Sequence, residues 1–369
     1  MKHALLSLSF LFTSAFAETN SDLQNLLNNV SEFTTDTKLN IDYQPSILTI
    51  LYSSDLELLG VQTLHEALNF IPSIETTLTS TGISQVIVRG VSEPNDAIHI
   101  KMRYFIDGID IGVNYFANFP IELIDRIEVL RGGASAIYGQ GAFHGAVNII
   151  TKSSLSNRKN LVNFEYGSYD YNKGSAVVHT KLNNFDIGID AYYQKHDRSL
   201  DATTAPTSIV NGAQYYSIAE TFSRKKTTQE AIKDMSIGIS IKNKEWSFTS
   251  RYQRNRSQNY YGAFGVLDHT TNSYTQKDTL ALQLAYSSKI SLNNNLKAKV
   301  GFLNSGYTLN TYYFQLEPNS VGFKDPHYIL NAENQLYYTE LSLINNYFKK
   351  HKNYTWHIFW ILNRKRKSF

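Results

Sequence analysis

The chain contains no cysteine, and only seven of its 369 residues are proline. Without cysteine it can form neither a disulfide framework nor a thiolate metal site. No segment offers the ~20 consecutive apolar residues that a membrane-spanning helix needs. An excess of charge of one sign is also missing, because the formal net charge is only +3 and acids and bases are interspersed. Nothing in this pattern indicates a nucleic-acid partner.

Residue clusters typical of enzymes are missing as well. The ten histidines are scattered without a pair at metal-ligand spacing, and no Ser/His/Asp or paired-carboxylate arrangement stands out. The segment Gly139-Gln-Gly141 resembles a dinucleotide loop, but His144 occupies the place of the third glycine and no βαβ crossover follows. We therefore predict that the protein is not an enzyme and uses no metal and no cofactor.

Aromatic residues, by contrast, are abundant, with 25 Tyr and 20 Phe. The mean hydropathy of −0.31 suggests a soluble chain. Transmembrane β-barrels, however, conceal their apolar residues in an alternating pattern and carry aromatic girdles at both membrane interfaces. Average hydropathy therefore does not exclude a membrane protein here.

The N-terminal third divides into three parts. Residues 1–17 have a charged start, an apolar run and a small-residue site at Ala15-Phe16-Ala17, so we expect a secretory signal peptide. Residues 18–45 are polar, and we expect a mobile periplasmic segment. Short mixed elements then predict a compact α+β domain over residues 46–153.

Two capping boxes predict the helices of this domain. In each box a hydroxyl and a carboxylate three residues later satisfy backbone N–H groups of the first turn. The boxes are Ser54–Glu57 and Thr63–Glu66, with helix ends expected at Gly60 and before Pro72.

Residues 154–362 have the pattern of antiparallel strands. In Ile237–Ile241 and Leu280–Tyr286 every second residue is bulky and apolar, so one face of each strand is expected to contact lipid. Tight and long connections alternate, as in outer-membrane barrels. A soluble β-sandwich or solenoid is the alternative, and the loop alternation, the tyrosine content and the lack of a repeat period argue against it. The nine candidate strands are Leu161–Gly167, Lys173–Lys181, Phe185–Lys195, Asp234–Lys242, Glu245–Arg256, Thr279–Ile290, Leu296–Leu309, Gln335–Phe348 and Tyr354–Leu362.

Four motifs of the α+β domain resemble the plug domain of TonB-dependent outer-membrane receptors. The stretch Ile124–Lys152 contains the most specific of them, Arg126–Gly132, and reads as strand, glycine turn, short helical turn, glycine loop and strand. Three further segments are similar to plug signatures in the same order, with Ser73 where glycine is usual and Gly133 where many members have proline. They are Leu58–Ile74, Val86–Gly90 and Tyr104–Gly108.

The resemblance implies an α+β plug domain followed by antiparallel transmembrane β-barrel strands in the outer membrane of a Gram-negative cell. It also implies uptake of a scarce, bulky nutrient such as a ferric siderophore. The implied partners are TonB with its inner-membrane energising complex, outer-membrane lipid and the transported small molecule or iron chelate.

Substrate contact in this family comes from plug loops on the external side. The aromatic rings of the matching segments can stack on a ligand and their amides can hydrogen-bond, although packing against the barrel wall is an equal alternative. The implied contact residues are Thr79, Ser80, Thr81, Asn114, Tyr115, Phe116 and Asn118. Cationic and aromatic residues towards the external loops suit an anionic chelate, unless they are merely solvated. They are Arg198, Arg224, Lys225, Lys226, Arg254, Arg256, Tyr260 and Tyr261.

Two further roles follow from the resemblance. Arg89 and Arg131 match plug arginines that pair with barrel-wall glutamates, which implies a plug–barrel latch; a solvated turn arginine is the alternative for each. The TonB box, which pairs with TonB by β-augmentation, is expected by its spacing from the plug at Leu27, Asn28, Asn29, Val30 and Ser31.

The strand count departs from the family. Receptors of this type have 22-stranded barrels, whereas nine candidate strands are found, an odd number that cannot close a single-chain bacterial barrel. The basic run Asn363–Ser368 cannot alternate towards lipid, so residues 363–369 are predicted to be a non-native tail. We therefore expect a truncated receptor. A periplasmic module that binds a ligand or TonB without transport, or a structural β-protein of the envelope, are the alternatives.

Overall fold

The structure is a computed structural model that describes fifteen segments of the chain. They are residues 47–78, 84–92, 102–112, 118–132, 144–155, 159–197, 209–210, 213–214, 231–258, 273–291, 294–312, 315–316, 323–324, 327–345 and 355–368. The predicted signal peptide, the segment 18–45 and the TonB-contact residues all lie outside this part of the chain.

The first unit, residues 47–155, is called the plug below. Its central sheet has the strand order β1-β7-β8-β5-β6, in which only β5 and β8 run parallel. A second sheet has the order β2-β3-β4. The strands are β1 (Ile47–Tyr52), β2 (Ile74–Leu78), β3 (Ser84–Val88), β4 (Val91–Ser92), β5 (Met102–Ile106), β6 (Ile109–Gly112), β7 (Ile124–Arg131) and β8 (Gly145–Thr151). The helices are α1 (Ser53–Leu58) and α2 (Leu64–Leu68), with 3₁₀ turns at Ile121–Leu123 and Lys152–Ser154.

The plug has its own apolar core. Side chains of the central sheet and of α2 are fully removed from solvent, among them Leu64, Ile106, Ile127 and Ile149. β7 and β8 are buried along almost their whole length, because they are central strands with a neighbour on each side. Burial of this kind stabilises a domain by roughly 25 cal/mol per Å² of apolar surface, so the plug holds its shape through its own packing.

The second unit is a nine-stranded antiparallel sheet, called the wall below. Its order is β21-β20-β17-β16-β15-β14-β11-β10-β9, so successive long strands are neighbours. The long strands are β9 (Leu161–Gly167), β10 (Tyr171–Leu182), β11 (Phe185–His196), β14 (Ile232–Lys242), β15 (Trp246–Gln258), β16 (Tyr274–Lys289), β17 (Asn294–Tyr312), β20 (His327–Asn345) and β21 (Thr355–Ser368). Two short pairs lie in the longer connections, namely β12 (Ile209–Val210) with β13 (Ala213–Gln214) and β18 (Gln315–Leu316) with β19 (Phe323–Lys324).

All nine predicted wall strands are present. The first matches its predicted bounds, Leu161–Gly167. Others are longer than predicted, chiefly towards the long connections: β16 begins at Tyr274 and β20 at His327. The prediction that the last strand ends at Leu362 was wrong, because the basic run continues β21 to Ser368 and pairs with Asn331–Leu336 of β20.

The two capping predictions had different outcomes. The Thr63 hydroxyl accepts a hydrogen bond from the Glu66 N–H, and the Glu66 carboxylate accepts one from the Gln62 N–H. The box at Ser54 was wrong, since Ser54 lies inside α1 and the N-cap residue, Tyr52, makes no side-chain cap. Across the described residues, no helix is both long enough and apolar enough to cross a membrane.

Candidate functional site

The wall has two chemically different faces. The face that contacts the plug buries small or polar side chains, whereas the opposite face exposes large apolar ones, as the alternation along each strand predicted. Buried polar residues of the wall include Ser175, Asp190, Ser236, Ser240, Thr249, Arg251, Gln253, Thr279 and Gln283. Exposed apolar residues include Val162, Phe164, Tyr166, Ile189, Tyr193, Ile237, Leu284, Val300 and Leu341.

A buried ion pair lies at the centre of the polar face. The Arg251 guanidinium on β15 makes two hydrogen bonds to the Asp190 carboxylate on β11, from Nη1 at 2.8 Å and from Nη2 at 2.7 Å. β14 separates these strands, and its Gly238 stands opposite both residues in the register. A Cβ at position 238 would lie 2.2 Å from Arg251 Nη2 and 2.4 Å from an Asp190 oxygen. The glycine therefore leaves the space in which the pair meets.

Three separate segments of the plug contact this pair. Asp107, in the turn between β5 and β6, lies 3.7 Å from Arg251 Nη2. The ring of Phe119 lies 5.1 Å below the Arg251 guanidinium carbon, within cation–π range. The Ser153 hydroxyl donates a hydrogen bond to Asp190. A single pair of wall residues thus contacts the turn, the middle and the C-terminal end of the plug.

The plug side of this contact is held by its own hydrogen bonds. Asp107 has a positive φ of 50° in its Asp-Gly turn, and its carboxylate accepts hydrogen bonds from the N–H and the hydroxyl of Thr151, both at 2.8 Å. The Thr151 hydroxyl also lies 3.0 Å from that of Ser153. The turn and the end of β8 are therefore joined by hydrogen bonds that do not involve the wall.

A second cluster holds the segment that begins at Asn118. The Asn118 amide donates a hydrogen bond to the buried carboxylate of Asp234 on β14 at 2.7 Å, and the Tyr192 hydroxyl donates one to the Asn118 carbonyl at 3.3 Å. Four residues further on, Glu122 forms an ion pair of 2.8 Å with Lys173 of β10. Phe119, fully buried, lies between these two anchors.

The end of the plug is held through its backbone. His179 Nε2 donates a hydrogen bond to the Lys152 carbonyl at 2.9 Å, and Lys242 Nζ donates one to the Ser154 carbonyl at 2.6 Å. A Cβ at Gly188 of β11 would lie only 1.8 Å from the Ser153 carbonyl oxygen. The glycine therefore permits direct backbone contact between plug and wall.

The predicted substrate residues are only partly within the described chain. Asn118 is described, and its side chain contacts the wall through Asp234 rather than open space. Thr79, Ser80, Thr81, Asn114, Tyr115 and Phe116 lie outside the described residues. Of the cations expected to meet an anionic chelate, Arg254 pairs with Asp278 at 2.6 Å and Arg256 lies over the Tyr274 ring, both within the wall. For all of these residues, substrate contact stays a prediction.

The two predicted latch arginines have different surroundings. Arg131 donates hydrogen bonds to the Pro72 carbonyl at 3.0 Å and to the Thr49 hydroxyl at 3.1 Å, both inside the plug. Arg89 has an exposed side chain and a positive φ of 54° at the end of β3. A latch through these arginines stays a prediction. The ion contacts described between plug and wall, Asp107 with Arg251 and Glu122 with Lys173, use cations of the wall instead.

Sequence reasoning missed Arg251, Asp190 and Ser153. A signal was nevertheless available, because Asp190, Asp234 and Arg251 are charged residues at inward positions of otherwise alternating strands. Charges there require a partner on the plug side or on a neighbouring strand. Within the described segments, no group of three or more His, Asp or Glu side chains is placed to hold a metal ion.

Comparison with known proteins relates one segment of the chain to a described domain family. Residues 40–146 match the family model described as the TonB-dependent Receptor Plug Domain. This segment therefore has the sequence pattern of TonB-dependent receptor plug domains, and the chain shares its fold with solved receptor structures.

The curated relatives are vitamin B12 transporters named BtuB. The protein of Vibrio vulnificus is 29% identical over 126 residues, which are 32% of this chain and 20% of that protein. The protein of Vibrio cholerae is 30% identical over 129 residues, 33% of this chain and 20% of that protein. The chain thus spans about a fifth of the curated relatives it matches, and these relatives are transporters, not enzymes.

Solved structures with the same fold include siderophore receptors. The receptor PiuA of Acinetobacter baumannii has a TM-score of 0.54 at 13% identity and covers 83% of this chain and 43% of its own. The ferric-catecholate import receptor Fiu of E. coli, in its open form, has a TM-score of 0.56 at 12% identity, covering 87% and 49%. The ferric yersiniabactin receptor FyuA of Yersinia pestis has a TM-score of 0.53 at 11% identity, covering 86% and 60%. At these identities the likeness extends to the fold alone.

Proposed function

We propose that the chain forms the plug and part of the barrel of a receptor for TonB-dependent import of a scarce, bulky nutrient across the outer membrane of a Gram-negative cell. The observation that carries the proposal is the position of the plug, which contacts the polar face of the wall while the apolar face is left for lipid. A plug in this position closes the path along the wall. TonB, with its inner-membrane energising complex, is the proposed source of the energy that moves it.

The substrate we propose is a ferric siderophore, with cobalamin as the competing candidate. The solved neighbours are titled as receptors for siderophores such as ferric catecholates, and the curated relatives are titled as vitamin B12 transporters. The two likenesses differ in extent, since the curated matches cover about a third of the chain and the structural ones more than four fifths. A test of function must therefore include both substrates.

The decisive experiment is uptake by cells of a Gram-negative host that lacks its own receptors and expresses this chain joined to the C-terminal barrel strands of a receptor of the same fold, because the nine described wall strands do not close a barrel by themselves. We expect iron supplied as a ferric siderophore to accumulate only when TonB is present. Accumulation of labelled cobalamin instead would support the competing substrate. A periplasmic module would bind ligand or TonB without any accumulation, and an envelope protein of purely structural role would do neither; either result contradicts import.

The proposed substrate residues are tested by replacing the aromatic side chains of the predicted external loop. Tyr115→Ala and Phe116→Ala together should weaken ligand binding about fivefold to a hundredfold, because stacking on an aromatic ring contributes ~0.5–1.5 kcal/mol per ring beyond burial. Phe70→Ala is the matched control, since Phe70 is an aromatic residue of the plug that is half exposed outside this loop. Equal affinities for all three proteins would remove the loop from the site.

The proposed TonB contact is tested at Leu27–Ser31. β-Augmentation requires free backbone N–H groups on the added strand, and proline removes one. Val30→Pro should abolish capture by the purified periplasmic domain of TonB, whereas Val30→Ala should not. Unchanged capture of the proline variant would place the TonB box elsewhere.

A further inference from the structure

The contact between plug and wall has an unusual distribution of charge. Asp190 and Arg251 belong to the same sheet, are 0% and 2% exposed, and neutralise each other through two hydrogen bonds. Arg251 also donates a hydrogen bond to the Ser236 hydroxyl on the intervening strand at 3.0 Å. The wall therefore supplies the main counter-charge of Arg251 from its own residues.

The plug carboxylate in this contact, that of Asp107, likewise has its main partners within its own unit. Asp107 has two short hydrogen bonds from Thr151, whereas its separation from Arg251 is 3.7 Å. The remaining contacts are the Phe119 ring and the Ser153 hydroxyl, neither of which carries charge. Separation of plug and wall here would leave no buried charge without its main partner, which is the situation that makes broken buried ion pairs so destabilising.

We propose that Asp190 and Arg251 form a self-neutralised socket that positions the plug reversibly. The socket holds the turn at Asp107, the segment at Phe119 and the end at Ser153 in one relative position, and it stays intact when the plug moves. Phe119 follows Asn118, which ends the predicted substrate loop. A displacement of that loop would therefore move Phe119 against Arg251, and through Asp190 it would affect Ser153 at the C-terminal end of the plug. Asp190 and Arg251 are thus positioning residues.

A latch and a socket predict different effects when the carboxylate of Asp107 or Asp190 is replaced by a neutral amide. In a latch, the plug carboxylate holds the ion pair, and Asp107→Asn would free the plug. In the socket, Asp107→Asn changes little. Asp190→Asn instead leaves Arg251 with Asp107 as its nearest carboxylate and should draw the plug more tightly to the wall.

The test is hydrogen–deuterium exchange of the full chain folded in detergent micelles, resolved along the sequence. Arg251→Met should raise exchange about tenfold in 102–112 and 118–124, since these segments lose their contact with the guanidinium, and in 145–155, since Asp190 loses the partner that positions it for Ser153. The wall strands should keep their protection. Asp190→Asn should lower exchange around Asp107. Arg254→Met is the matched control, because Arg254 lies on the same strand but pairs with Asp278 within the wall.

A glycine variant tests the socket with every charge retained. Gly238→Ala places a methyl group where the Asp190–Arg251 pair meets and should reproduce the exchange pattern of Arg251→Met. Gly174→Ala in β10 is its control, because the added Cβ would meet only Phe164, at 3.9 Å. Should Asp190→Asn lose wall protection and fail to fold, Gly238→Ala decides the matter.

Three results would overturn the socket. The first is unchanged hydrogen exchange in Gly238→Ala, and the second is a change of plug exchange in the same direction for Arg251→Met and a folded Asp190→Asn. The third is release of the plug by Asp107→Asn. The inference rests on the proposed function only for its consequence during import. The exchange measurement involves no substrate, so a negative result contradicts the socket without bearing on import. Absent uptake contradicts the import proposal without bearing on the socket.

Discussion

At the scale of single residues, the motif Arg126–Gly132 owes its composition to a buried polar cluster inside the plug. Arg126 Nε donates a hydrogen bond to Glu128 at 2.7 Å, and the Asn148 amide donates another to the same carboxylate at 3.1 Å. Burial by itself would lower the pKa of Arg126, but Glu128 and Asp125 outweigh it and raise that pKa. The charges of this motif therefore stabilise the plug rather than contact a ligand.

Glu128→Gln should destabilise the plug by about 3 kcal/mol, because it leaves Arg126 buried without its main counter-charge. Glu57→Gln is the matched control. Its ion pair with Lys152 is 3.2 Å long but largely exposed, so its loss should change the free energy of unfolding by less than about 1 kcal/mol. Chemical denaturation of the folded chain measures both, and equal effects would contradict the assigned role of Glu128.

Ser73 is the second residue with an unusual requirement. It stands where glycine is usual in the family and has a positive φ of 69°, a conformation that is unfavourable for a residue with a Cβ. Ser73→Gly should raise the free energy of unfolding by about 0.5–1 kcal/mol, the relief of strain less the greater chain entropy of glycine. Ser54→Gly, inside α1, should lower it by a similar amount. We expect the thermal unfolding temperature to rise in Ser73→Gly and to fall in Ser54→Gly.

At the scale of elements, sequence patterns located the strands better than their ends. Alternation identified β14 and β15 to within two residues at each end. In β14 the apolar positions continue almost to the ends, from Ile232 to Ile241. Alternation failed at β16 and β20, where polar residues such as Lys277 and Asn331 pair regularly with β17 beyond the apolar stretch. Backbone pairing persists there without an apolar face, so hydrophobic periodicity carries no signal of it.

Helix starts show a related limit. Both predicted boxes had the right residues at the right spacing, but only Thr63 adopts the extended backbone of an N-cap, with φ −130° and ψ 158°. Ser54 follows a strand that runs directly into α1, which leaves it within the first helical turn. The residue types are thus necessary for the cap and the backbone path decides whether it forms.

Thr63→Ala should therefore lower the stability of the plug by about 1 kcal/mol, the usual contribution of an N-cap. Ser54→Ala should leave stability unchanged or raise it slightly, since alanine is the better residue inside a helix. Denaturant titrations of the two variants provide the comparison. A loss of stability in Ser54→Ala equal to that in Thr63→Ala would contradict the assignment of the caps.

At the scale of the whole molecule, the sequence predicted two units and their class, but not the contact between them. The Asp190–Arg251 pair joins strands that are not neighbours, and it forms because Gly238 lies opposite both residues. That coincidence depends on the register of three strands, which turn geometry sets. The sequence shows which charged residues occupy inward positions, whereas it does not show which residues of neighbouring strands lie opposite them.

The central claim is that the end of the plug lies against the polar face of the wall. Because the chain has no cysteine, an introduced cysteine pair reports this contact without interference. Ser153 and Asp190 are joined by a side-chain hydrogen bond, so the side chains at these two positions point towards each other. The matched pair uses Ile189, the next residue of β11, which points to the apolar face.

The measurement is mild oxidation of the two double variants, folded in detergent micelles, followed by mobility on a non-reducing gel. Ser153→Cys with Asp190→Cys should form an internal disulfide in most molecules, and Ser153→Cys with Ile189→Cys should form none. A disulfide in the second variant, or in neither, would show that the plug is not seated on this face, and the account would fail.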